Sequence, residues 1–126
     1  MTKIVVNGCF GGFGLSEAAV ARYAEIAGIT LYPRQDMGFT AWYRVPPDVY
    51  DTLNLEDKDE AYFSMYDIDR TDPALVQVVE ELGGAADGNF AALYIVELEP
   101  GTRYRIDEYD GTESVMTIDD YEWSVA

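Results

Sequence analysis

Gly8, Gly11, Gly12 and Gly14 stand between an apolar run and Ser16. A glycine-rich loop entering a helix can hold an anion with its backbone N–H groups and the helix dipole. The two familiar spacings both fail. In a G-x-G-x-x-G reading that begins at Gly12 and Gly14, the third position is Glu17, a carboxylate where a pyrophosphate would sit. A P-loop needs Gly-Lys-Ser/Thr, and none occurs. Two readings stay open: an anion site at Gly11, Gly12, Gly14 and Ser16, or a turn that uses glycine for positive φ.

Other reactive side chains are weaker. Cys9 has apolar neighbours, and a chain without histidine offers it no customary activating base. Ser16 lacks a Ser/His/Asp set and is a good helix N-cap. Asp67, Asp69 and Asp72 resemble a calcium loop in spacing. An EF-hand starting at Asp67 requires glycine at its sixth position and glutamate at its twelfth, where this chain has Asp72 and Val78. Zinc has no Cys/His set. Adjacent acids such as Glu80-Glu81 and Asp119-Asp120 are too common here to mark an acid/base pair.

Charge is the outlier. There are 24 acids against 8 bases, for a net −16. Residues 1–44 are near neutral (+1), whereas 45–69 and 106–126 each carry −7. Such a field repels nucleic acid and anionic membrane and favours encounter with basic protein surfaces. Tyr104, Tyr109, Tyr121 and Trp123 are interleaved with the C-terminal acids, a mixture suited to an Arg/Lys-rich partner.

These residues need elements to position them. Residues 3–10 read as a mostly buried strand. Leu15, Ser16 and Val20 read as a stapled and capped helix start, and Gly28 as its end. Ile29–Tyr32 predicts a short strand closed by Pro33, and Ala41–Val45 another closed by Pro46-Pro47. Asp48–Leu55 reads as one helical turn or a loop, and Glu56–Glu60 as a charged surface segment. Ala61–Ile68 predicts a strand. Asp72-Pro73 opens a second helix with Leu75, Val78, Val79 and Leu82 on one stripe. Phe90–Leu98 predicts a central strand covered on both faces. Asp110-Gly111 between Thr102–Tyr109 and Glu113–Ile118 signals a hairpin, and Tyr121–Val125 a last edge strand. The order predicts one α+β domain over residues 1–126, a mainly antiparallel sheet packed by two helices. Its hydrophobic fraction of 48% supports a real core. The lone cysteine fits a reducing compartment. Nothing in the sequence reads as a membrane span or an export signal.

Lys3-Ile-Val-Val-Asn-Gly-Cys-Phe-Gly-Gly-Phe-Gly-Leu-Ser16, with the Ala/Tyr-rich helix after it, resembles the opening of small uncharacterised proteins of tailed bacteriophages and prophages. Arg70–Gly83 and Phe90–Gly111 resemble later parts of the same family, so the likeness covers a little over half the chain. The resemblance implies a phage accessory protein in the host cytoplasm and carries over no catalytic residues. The tail departs, since members end in a more basic Trp-containing segment and this chain ends Asp119-Asp120-Tyr-Glu-Trp-Ser-Val-Ala126.

Together these readings predict binding rather than catalysis, with no cofactor and no metal. The expected partner is a host or phage protein with a basic surface, met by Asp107, Glu108, Asp110, Glu113, Asp119, Asp120, Glu122 and Trp123. The most specific form is a DNA mimic that inhibits a nucleic-acid-binding or defence protein. The alternatives are a small-ligand or nucleotide-binding protein or enzyme using Gly11, Gly12, Gly14 and Ser16, and a virion or scaffold component. An exposed C-terminal edge strand would also permit a homodimer.

Overall fold

The computed structural model describes residues 1–36 and 38–117. The chain begins with β1 (Thr2–Asn7), which enters α1 (Glu17–Ala27) through the glycine turn. A meander follows: β2 (Tyr32–Asp36), β3 (Phe39–Tyr43), the short α2 (Pro47–Tyr50), α3 (Leu55–Ala61) and β4 (Tyr62–Phe63). A 3₁₀ turn at Met65–Asp67 leads to α4 (Pro73–Leu82). The described chain ends in β5 (Leu93–Leu98), β6 (Tyr104–Tyr109) and β7 (Thr112–Thr117). This is an α+β fold with antiparallel pairing throughout the described strands.

The strands divide into three small sheets, β1-β5, β2-β3-β4 and β6-β7, where the sequence pattern predicted one mainly antiparallel sheet. The first two sheets share the core with the helical layer, and the β6–β7 hairpin packs on β1 instead. Val20 and Tyr23 of α1 meet Leu75, Val78 and Val79 of α4 in a single core that also takes Val5, Trp42 and Phe63. Val5 faces that core, and Ile4 and Val6 are equally buried at 0% exposure while the β6–β7 hairpin lies along β1. β1 is therefore sandwiched, as its apolar composition predicts.

Both long helices start where local chemistry dictates. Ser16 Oγ accepts from the Ala19 N–H at 3.1 Å, and Gly28 ends α1 in the left-handed region at φ 74°. Asp72 Oδ1 accepts from the Ala74 N–H at 2.8 Å, with Pro73 in the first turn. Asp69 is equally committed, accepting from the backbone and hydroxyl of Thr71. Two of the three aspartates that imitate a calcium loop, Asp69 and Asp72, are thus turn and helix caps.

The second oxygen of Asp72 accepts from the Tyr23 hydroxyl at 2.7 Å, which ties α1 to the start of α4. Burial, reinforced by this bond to a carboxylate, pushes the Tyr23 phenol up to about 12. The folded state therefore favours the protonated phenol. Its contribution is complete below the unfolded value near pH 10 and is lost as pH rises toward 12. Tyr23→Phe is expected to cost about 1–2 kcal/mol at neutral pH. Urea unfolding across the alkaline range should show the difference from wild type shrinking above about pH 10. A difference that stays constant would rule out the phenol as its source.

Three strand predictions are corrected. β2 begins at Tyr32 and includes Pro33, which an edge strand tolerates because one side needs no N–H. Ala61–Ile68 supplies only the two residues of β4 before the chain winds into the 3₁₀ turn. Phe90–Leu98 is not a central strand: β5 starts at Leu93, pairs only with β1 among the described residues, and exposes Tyr94 and Glu97. Glu56–Glu60, read as a charged surface segment, lies within α3, where only Ala61 is buried. The predicted strand Tyr121–Val125 lies outside the described residues.

Candidate functional site

Asn7 closes β1 and is fully buried. Its side-chain amide donates to the carbonyls of Cys9 (2.7 Å) and Gly111 (2.8 Å), and its oxygen accepts from the N–H groups of Cys9 (3.2 Å) and Ala92 (2.9 Å). One side chain thus fastens the glycine turn to the β6–β7 hairpin tip and to the start of β5. Beneath it, Arg70 and Glu113 form a bidentate pair at 2.5 and 2.8 Å, with side chains 19% and 10% exposed. The same guanidinium stacks on the Phe13 ring at 3.6 Å.

The glycines answer to this packing. A Cβ on Gly11 would collide with the Cβ and carbonyl of Phe90, and one on Gly88 would lie 2.7 Å from the Gly14 carbonyl carbon. Gly12 instead needs its freedom for φ 89°, with open space around it. The Ser16 hydroxyl is occupied on both sides, donating to the Ala85 carbonyl at 2.6 Å and capping α1. The Glu17 carboxylate accepts from Thr40, which in turn accepts from Gln35. An anion at this helix entry would meet that carboxylate.

The structure separates the predicted partner-binding acids. Strand alternation puts Asp107 and Glu108 on opposite faces of the hairpin. Asp107 pairs with Arg105 at 2.8 Å. Glu108 is exposed and lines a cavity of about 270 Å³ together with Gly12, Tyr66, Arg70 and Glu113. Asp110 is exposed at the turn itself, where φ is 51°. Glu113 is 8% exposed, and its oxygens are held by Arg70 and by the Asn7 N–H (2.9 Å). A carboxylate so enclosed and neutralised is not a docking charge, which corrects its assignment as one. Asp119, Asp120, Glu122 and Trp123 lie outside the described residues.

A larger groove of about 580 Å³ opens on the other side of the glycine turn. Gly11, Gly14 and Ser16 lie along it, Trp42 and Phe13 supply buried walls, and Glu17 and Asp87 supply carboxylates. Its rim carries Phe39, Tyr66 and Phe90, which are 76%, 69% and 79% exposed. Among the described residues no lysine or arginine lines it. Phe90 has φ 64°, a left-handed conformation that bulky side chains rarely adopt. Sequence reasoning missed this groove because its rings come from three distant segments. It missed Arg70 too, although Arg70 is the only base between Lys58 and Arg103.

Much of the remaining basic charge is spent internally. Lys3 pairs with Glu80 and Glu97, Arg22 with Glu25 and Glu81, and Arg34 with Asp51. The Arg22 hydrogen bond holds the Glu81 carboxyl down at about 2. Arg44 donates to the Tyr62 carbonyl and lies over Phe63, and Lys58 lies over Tyr50. No protein-family profile, curated protein or solved structure matches this chain.

Proposed function

We propose that this protein acts by binding another protein that presents a basic surface, as a small accessory protein of the tailed-phage type. The observation that carries this reading is the aromatic groove. Among the described residues three strongly exposed aromatic residues share it with two carboxylates and no base, while the net charge is −16. Exposed rings cost solvation and are enriched where proteins meet. Acidic surroundings select the sign of the partner and speed the encounter.

The mimic form of the idea requires carboxylates at phosphate-like intervals along one face. Asp107 and Glu108 point to opposite faces, and Glu113 is internal, so the described hairpin favours general charge complementarity over strand mimicry. No specific observation favours nucleotide binding, given Glu17 and Asp87 in the groove.

The immobilised protein should retain basic proteins from a bacterial lysate at low salt and release them as salt is raised. Screening shortens from about 10 Å at 0.1 M to about 3 Å at 1 M. An empty eluate at low salt overturns the proposal.

A further inference from the structure

We infer that the groove between the glycine turn, the β2–β3 hairpin and residues 87–90 is a receptor for an arginine-bearing segment of the partner. This rests on the partner reading above and goes further by naming where and what the protein grips. Phe39, Tyr66 and Phe90 offer π-faces to a planar cation, and Glu17 and Asp87 offer carboxylates to its N–H groups. Glu17 uses one oxygen for the Thr40 hydroxyl and Asp87 one for the Leu93 N–H, which among the described residues leaves a second oxygen on each for an incoming donor. Charge complementarity fixes the occupant, because every ionised group lining the groove among the described residues is negative. A guanidinium fits better than an ammonium, since it can stack on a ring and bind a carboxylate at once.

Phe90 supplies the second argument. Its backbone sits at φ 64° and the residue is 79% exposed, so the conformation costs energy and buries little apolar surface in return. Gly11 lies directly under its Cβ, where a larger residue would not fit. The turn therefore holds an aromatic ring out at the groove rim at a position where glycine would fold more easily.

The test uses the full chain, labelled with ¹⁵N, and titrates acetylated tri-arginine amide against acetylated tri-citrulline amide, its uncharged isostere. Tri-arginine should shift the Trp42 indole and the amides of Glu17, Asp87 and Phe90, and tri-citrulline should bind about tenfold more weakly or less. Phe90→Gly should weaken tri-arginine binding about fivefold or more while leaving the thermal midpoint unchanged or raised. Glu17→Gln, which keeps an acceptor for Thr40, should weaken it as well. Shifts confined to α3 or the hairpin, equal binding of the two peptides, or indifference to Phe90→Gly would each overturn the assignment. Lysate capture separates this from the partner reading. Salt-sensitive capture that survives Phe90→Gly removes the arginine receptor and leaves the partner proposal resting on the net charge of −16, whereas loss of all capture by wild type removes the partner proposal itself.

Discussion

Glu113→Gln should destabilise the protein by about 3 kcal/mol, toward the lower end expected when one member of a buried ion pair is removed. For a chain of this size that lowers the melting midpoint by roughly 10 °C or more. Glutamine keeps an oxygen for the Asn7 N–H, which Glu113 now satisfies at 2.9 Å. It also puts an NH₂ group against the Arg70 guanidinium and leaves that charge 19% exposed without its anion. Arg70 would retain its bond to the Val5 carbonyl at 3.2 Å and its stack on Phe13, neither of which supplies negative charge. Arg70→Met alone should cost a similar amount by stranding the carboxylate. The double variant Arg70→Met with Glu113→Leu should recover most of the loss, because replacing both partners with apolar groups of similar shape is often near neutral. It should fall short of wild type by about 1–3 kcal/mol, since the Asn7 N–H then has no acceptor. Urea unfolding of wild type, Arg70→Met, Glu113→Leu and their double variant gives the cycle, with Glu113→Gln as a fifth protein outside it. Additive losses, with no coupling between Arg70 and Glu113, would show that the pair is incidental to stability.

The caps and turns were legible from local residues. Ser16, Gly28, Asp72-Pro73 and Asp110-Gly111 act within a few residues of themselves, and each does in the structure what its chemistry dictates. Sheet partners were not legible, because pairing depends on segments far apart in sequence. Continuous hydrophobicity over Phe90–Leu98 implied burial, yet Phe90 and Tyr94 are spent on the surface. Glu113 looked like any other acid in an acidic segment, and only its placement beneath Asn7 and beside Arg70 distinguishes it. The division of Asp107 from Glu108 was implicit once a strand was assigned, since neighbouring residues of a strand face opposite ways. The glycine turn was recognisable as a turn, but its reason was not. Gly11 makes room for Phe90, and Gly88 makes room for Gly14, across more than seventy residues of chain.

Gly12 and Gly111 separate the two uses of glycine, and their substitution gives the second large effect. Both have φ 89°. Around Gly12 a Cβ would meet nothing within 4 Å, whereas at Gly111 it would strike the Phe10 carbonyl and lie 2.6 Å from the Gly12 nitrogen. Gly12→Ala should therefore cost only the left-handed penalty, about 1–2 kcal/mol. Gly111→Ala should cost that amount and a further 1–3 kcal/mol or so for overpacking, because backbone atoms cannot swing aside as a flexible side chain would. The added strain falls where the hairpin tip meets the glycine turn, next to the carbonyl that Asn7 holds at 2.8 Å. Relief requires the tip to lift, and lifting it pulls Glu113 from Arg70 on the adjoining strand. Gly111→Ala should thus also reduce the coupling measured between Arg70 and Glu113, and Gly12→Ala should leave it intact. Equal stability losses for the two alanine variants would mean that the glycine turn and hairpin tip are not in the close contact that holds the site together.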